Sequence, residues 1–141
     1  MKALAFCLAV LATPAAAQER VSILLGSHHV DAAYDFEETN PGLFLTWDRV
    51  TLGTYVNSYG RQSVAATYAL PLVAGQDWAV DLFAGAALYP ENGRDFAVHL
   101  GHVVPIGGLQ GRYRNLFVQI MPSDGKATDA IVAFGVTFSL D

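Results

Sequence analysis

Beyond residue 7 the chain has no cysteine, and its single thiol, Cys7, lies in an apolar run at the start. No disulfide can therefore brace the rest, which must be held by burial of a core of its own. After that first run no apolar stretch reaches 18 residues free of charge, so no membrane-crossing helix is expected. Charge is scarce and unbalanced: 15% of residues are charged, with 8 Lys and Arg against 13 Asp and Glu. A basic surface able to neutralise phosphates is missing, which excludes nucleic acid as a partner. Helical periodicity is missing as well. What remains is 52% hydrophobic residues and 13 glycines, with the apolar residues falling at every second position.

The start of the chain has the composition of an export signal. Lys2 supplies a positive charge, Ala3 to Ala12 is apolar, and Ala15-Ala16-Ala17 offers small residues for cleavage before Gln18. Residues 1–17 are read as a secretory signal peptide, with Cys7 as apolar filler within it. Residues 18–141 then form one exported domain, whose net charge becomes −6 once Lys2 is removed.

Eight strands are expected from period-2 alternation and turn signals: Val21–Ser27, Leu43–Trp47, Leu52–Tyr59, Gln62–Leu70, Trp78–Tyr89, Phe96–Val104, Tyr113–Met121 and Ala130–Leu140. The last is the clearest. Ala130, Val132, Phe134, Val136, Phe138 and Leu140 make an apolar face, while Ile131, Ala133, Gly135, Thr137 and Ser139 make a small one. A wall that is greasy outside and narrow inside suits a barrel. The predicted fold class is all-β, an eight-stranded antiparallel up-and-down β-barrel of the outer membrane. Strands of about 9–11 residues suit a tilted bilayer crossing, and Trp47, Trp78, Tyr59, Tyr89 and Phe96 near strand ends suit an interfacial aromatic girdle. A soluble periplasmic barrel binding an apolar ligand is the alternative architecture.

With both ends periplasmic, residues 28–40, 60–61, 90–95 and 122–128 face outward, and residues 48–49, 71–77 and 105–110 face the periplasm. His29 and Ser58 then share the outer rim. His28 and His29 point to opposite sides of an extended chain, so one alone can serve a given site. Strict alternation from Val21 puts His28 inward and His29 outward. His29 can face the interior only if the strand ends or bulges before Ser27. With no third His or Cys at ligand spacing, the pair makes a poor metal site, and no metal or other cofactor is expected. Asn57-Ser58 reads most simply as turn residues closing a strand. His99 and His102 are taken as ordinary polar positions on opposite faces of the sixth strand, and Asp81 as an inward carboxylate paired with an arginine or water.

Ser27-His28-His29, Asp35-Phe36-Glu37, Asn40-Pro41-Gly42-Leu43 and Val56-Asn57-Ser58, followed by a half punctuated by proline and glycine and a final aromatic strand, resemble the PagP-type lipid A palmitoyltransferases. That family consists of eight-stranded outer-membrane barrels that move a palmitoyl chain from a phospholipid to lipid A. The resemblance implies a histidine at His29, the family's aspartate position occupied by Asn57, and a serine at Ser58 as the catalytic set. It also implies phospholipid and lipopolysaccharide as partners and an acyl chain held in the barrel, which the inward Gly53, Ala65, Ala69, Gly85, Ala87, Ala133 and Gly135 would leave room for. The family's N-terminal amphipathic helix has no counterpart between Gln18 and Val21. Asn57 is neutral, so Asp31 or Asp35 could take over the carboxylate's part. A monomer is expected. The competing function is a non-catalytic outer-membrane barrel that stabilises the envelope or presents loops to a partner.

Overall fold

The computed structural model describes residues 18–140. The signal-peptide reading of residues 1–17, with Cys7, lies outside the described residues. Eight antiparallel strands close into a barrel in chain order: β1 (Arg20–Val30), β2 (Thr39–Trp47), β3 (Val50–Val56), β4 (Gln62–Ala74), β5 (Trp78–Leu88), β6 (Val103–Tyr113), β7 (Leu116–Pro122) and β8 (Ala130–Ser139). Pairing of β1 with β8 removes the free edges that an open sheet would expose. Connections 48–49, 75–77 and 114–115 are tight and lie at one end, and the longer ones, 31–38, 57–61, 89–102 and 123–129, lie at the other.

Alternation decides what faces where. On β8, Phe134 is 44% exposed and Phe138 and Leu140 are also exposed, whereas Ala133 and Thr137 are buried. The same division runs round the wall: Leu43, Leu45, Leu52, Val64, Leu70, Leu82, Leu109, Val118 and Ile120 all face outward and exposed. A monomeric water-soluble surface rarely carries so continuous an apolar band.

The interior holds two apolar clusters. Ala65, Ala87, Tyr89 and Val104 form one, Leu24, Phe117 and Ala133 the other, and Phe44 and Tyr55 pack against both. Polar side chains pair among themselves nearer the tight-turn end. Ser22 and Arg20 both donate to Thr137, and Thr46 bonds Thr51 at 2.8 Å. Asp81, expected to find an inward arginine, lies 3.2 Å from Arg112.

Strand boundaries differ from expectation most in the second half. Residues 96–102 are not strand: Phe96 follows a short 3₁₀ turn (Gly93–Asp95), and His99 Nδ1 bonds the Phe96 carbonyl inside the loop. His99 and His102 therefore do not lie on opposite faces of a strand. The turn expected at 105–110 is instead the body of β6. Pro105 is tolerated because pairing of β6 with β7 starts only at Leu109↔Ile120, so residues 103–108 have no β7 partner. A Cβ at Gly108 would stand 2.0 Å from the Ile120 carbonyl oxygen, so glycine there marks a close backbone approach rather than a turn. The connection facing the tight-turn end is Arg114-Asn115, with Arg114 at φ +52°.

Two further expectations change. Tyr59, Tyr89 and Phe96 are not an outward girdle; they pack on one another at centroid distances of 4.7 to 6.3 Å over the barrel mouth. Gly53 and Gly135 do not leave space for a ligand either, because the rings of Phe44 and Phe117 occupy the space a Cβ would take. Those glycines let two large rings lean on the wall while the alanines keep the centre open.

Candidate active site

The site forms because β1 carries one residue too many. Against β8 the pairing steps from Leu24↔Gly135 to Gly26↔Phe134, so Leu25 is a bulge on that side, whereas against β2 the step from Leu24↔Gly42 to Gly26↔Thr39 places the extra residue on β2. Leu24 points in, Leu25 points out, and from there parity is reversed: Ser27 and His29 point in and His28 out. Gly26 is required at the bend, since a Cβ would stand 2.6 Å from the Glu38 carbonyl oxygen. That oxygen accepts the Ser27 amide at 2.9 Å, which clamps the bulge to the entry of β2.

His29 is 3% exposed and stacks on Phe36 at 4.4 Å and an interplanar angle of 20°. Its Nε2 is 2.9 Å from Ser58 Oγ. Its Nδ1 is buried without a hydrogen-bond partner and stands 3.9 Å from Glu38 Oε1. That carboxylate oxygen also accepts the His29 backbone N–H at 3.2 Å and meets His28 Nδ1 at 3.1 Å.

Ser58 comes from the turn between β3 and β4, and Asn57 builds that turn. Asn57 is fully buried; its amide donates to Ser63 Oγ at 2.8 Å, and its Oδ1 accepts the Tyr59 and Arg61 amides at 2.8 and 3.1 Å. The expectation that Asn57 orients the histidine and serine is thereby corrected, because all of its side-chain bonds hold the turn instead. A carboxylate at this position could accept the two amides but could not donate to Ser63. The loop before β2 locks onto the same turn: the Glu37 amide donates to the Ser58 carbonyl at 2.8 Å. Asn40, also buried, bridges the Glu37 and Val56 carbonyls at 3.1 Å each and meets Ser27 at 2.5 Å.

The serine stands between two spaces. Beneath it runs a lumen of about 1190 Å³ that reaches from Ser58 to Arg114 and is lined at its centre by Leu24, Phe44, Phe83, Phe117 and Ala133. Outside it is a cleft of about 350 Å³ bordered by Asp35, Glu37, Tyr59 and Gly60. Burial and then nearby Asp95 push the Tyr59 phenol above its usual range, so the hydroxyl stays neutral over the mouth.

No protein-family model matches this chain, and no curated protein matches it either. The functional reading therefore rests on geometry. Of the residues singled out in the sequence, the fold brings His29 and Ser58 into hydrogen-bond contact, gives Asn57 a structural place, and leaves Asp31 and Asp35 without an ion pair to the ring nitrogens. Glu38 and Phe36, which are not among the residues expected at the site, hold the histidine. Nothing in the sequence signals Glu38, since it reaches His29 only through the bulged β1–β2 register.

An imidazole nitrogen on a serine hydroxyl, shielded from water and poised over an apolar lumen, has the elements of nucleophilic acyl chemistry. The imidazole can take the hydroxyl proton as an ester carbonyl is attacked and return it to the leaving oxygen.

Proposed function

We propose that this protein is an outer-membrane acyltransferase that moves an acyl chain from a phospholipid to lipid A, with His29 and Ser58 as its catalytic pair. The observation that carries the reading is the 2.9 Å contact between His29 Nε2 and Ser58 Oγ at the head of the lumen. The exposed apolar band supports a lipid surrounding for the wall, and the PagP-type sequence features agree in activity and in the two residues. The long connections, and with them the site, would face outward.

Ser58 Oγ attacks the ester carbonyl of the phospholipid while its proton passes to His29 Nε2. The tetrahedral intermediate collapses, the C–O bond to the glycerol oxygen breaks, and His29 protonates that oxygen, releasing a lysophospholipid. The acyl group is now an ester on Ser58. A hydroxyl of the acceptor attacks it, gives its proton to His29, and leaves as the acylated product as Ser58 regains its proton. The acyl chain lies among the apolar residues of the lumen throughout, and the acceptor enters from the cleft beside Asp35 and Glu37.

The run of β6 from Val103 to Gly108, without a β7 partner, supports lateral entry of the chain from the bilayer. Pro105 and Pro122 flank that gap and have no N–H to bridge it. The test is mass spectrometry of lipid A from cells producing the protein or its S58A variant. A gain equal to one acyl chain, present with the first and absent with the second, is expected. Identical lipid A in both, with the barrel folded in the outer membrane, overturns the reading.

A further inference from the structure

A serine and a histidine are not enough unless the imidazole is held in one tautomer. With the proton on Nδ1, Nε2 has a free lone pair to accept from Ser58; with the proton on Nε2, the same contact cannot activate the serine. Something must therefore hold the proton at Nδ1. In this site that nitrogen is buried and unbonded, so the ring either finds an acceptor there or remains costly to bury.

Among the described residues, Glu38 is the one carboxylate within 4.0 Å of a His29 ring nitrogen, its Oε1 at 3.9 Å from Nδ1. The same oxygen is already tied to the histidine, accepting its backbone N–H at 3.2 Å. His28 Nδ1 holds it from the solvent side at 3.1 Å. The Glu38 side chain is 50% exposed, so its carboxylate keeps contact with water and has room to move. Closing from 3.9 Å to the roughly 2.8 Å of a charge-assisted bond asks for a shift of about 1 Å, the kind of tightening that catalytic contacts undergo when a substrate seats.

We propose that Glu38 is the positioning carboxylate of this site: Oε1 accepts the proton of His29 Nδ1 and so leaves Nε2 as the basic nitrogen toward Ser58. This rests on the reading of Ser58 as a nucleophile. Glu38 touches neither the ester nor the acceptor, and it takes up no proton in the cycle. The bulge at Leu25 and the bend at Gly26 serve this arrangement too, because they turn His29 inward at the position where the end of the loop before β2 delivers Glu38.

The experiment uses the full barrel in detergent micelles with nitrogen-15 in its histidines. Imidazole nitrogen shifts report the His29 tautomer, a fluorophosphonate reports the reactivity of Ser58, and the mobility of unheated protein on gels reports folding. In the native protein the Nδ1–H tautomer dominates. In E38A, folded as before, the population moves toward Nε2–H and labelling of Ser58 slows by at least about tenfold. E38Q, which keeps an acceptor oxygen but loses the charge, falls between the two. Unchanged tautomer and labelling in a folded E38A barrel overturn the proposal. A tautomer that depends on Glu38 while native Ser58 resists the probe upholds the positioning and overturns the acyl-transfer reading.

Discussion

His29 and Ser58 lie 29 residues apart and meet at 2.9 Å because the first strand carries a single extra residue, Leu25, against the eighth. Without the bulge the side-chain period of two would deliver His28 to the interior and leave His29 among the outward leucines. Deleting Leu25 should therefore abolish labelling of Ser58 by a fluorophosphonate even where the barrel still assembles. Replacing Leu25 by another apolar residue, which leaves the register alone, should keep labelling within about twofold.

The catalytic pair should act as a unit. Either S58A or H29A should lower acyl transfer by roughly 10³-fold or more, and the double variant should be little worse than either alone. Rates measured with a phospholipid donor in mixed micelles check this. Multiplying losses would mean that the two side chains act independently.

Asn57 should behave as a structural residue. N57A strips Ser63 and two turn amides of their buried partner and should cost about 1–3 kcal/mol of stability. N57D keeps the two amide bonds, places a charge where Ser63 expects a donor, and should also be destabilising. Urea unfolding in lipid vesicles measures both. Should N57D instead raise the rate of acyl transfer, the carboxylate would have reached His29 and the assignment to Glu38 would be in difficulty.

Lumen volume should set the length of the chain carried. Ala65 and Ala133 line the lumen and are buried. Leucine or phenylalanine at either should shift the preferred donor toward shorter chains, each lost methylene contributing about 0.8 kcal/mol of burial. Competition between donors of different length reads the shift. An unchanged preference would mean that the chain lies elsewhere.

Breaking the inner ion pair should weaken the barrel without touching the chemistry. D81A leaves Arg112 facing an apolar methyl and should cost about 3 kcal/mol, the low end for a buried pair because Arg112 keeps some access to water. Unfolding midpoints test the cost, and Ser58 labelling in the folded fraction should stay at the native rate.

The barrel was legible in the sequence because alternation is a local signal, and on β5, β8 and the first nine residues of β4 it runs unbroken. β6 was hidden for a physical reason. Pro105, Gly107 and Gly108 read as a turn, yet Pro105 sits where no β7 neighbour needs its amide, and Gly108 sits where the backbone of β7 comes too near for a side chain. The pairing of His29 with Ser58 on one rim followed from topology, but the direction of His29 did not, since a bulge is a property of register between strands. Glu38 was invisible for the same reason. The direction of Tyr59, Tyr89 and Phe96 is not written in the sequence, because an aromatic at a strand end can face lipid or fold over the mouth, and residue type does not distinguish the two.

The central claim is that Ser58 carries an acyl group between two lipids. Purified protein given a phospholipid with an isotope-labelled acyl chain, together with lipid A, should transfer the label to lipid A. A short quench should trap it as an ester on the peptide containing Ser58. Label that stays on the phospholipid, or transfer that persists undiminished in S58A, would contradict the account.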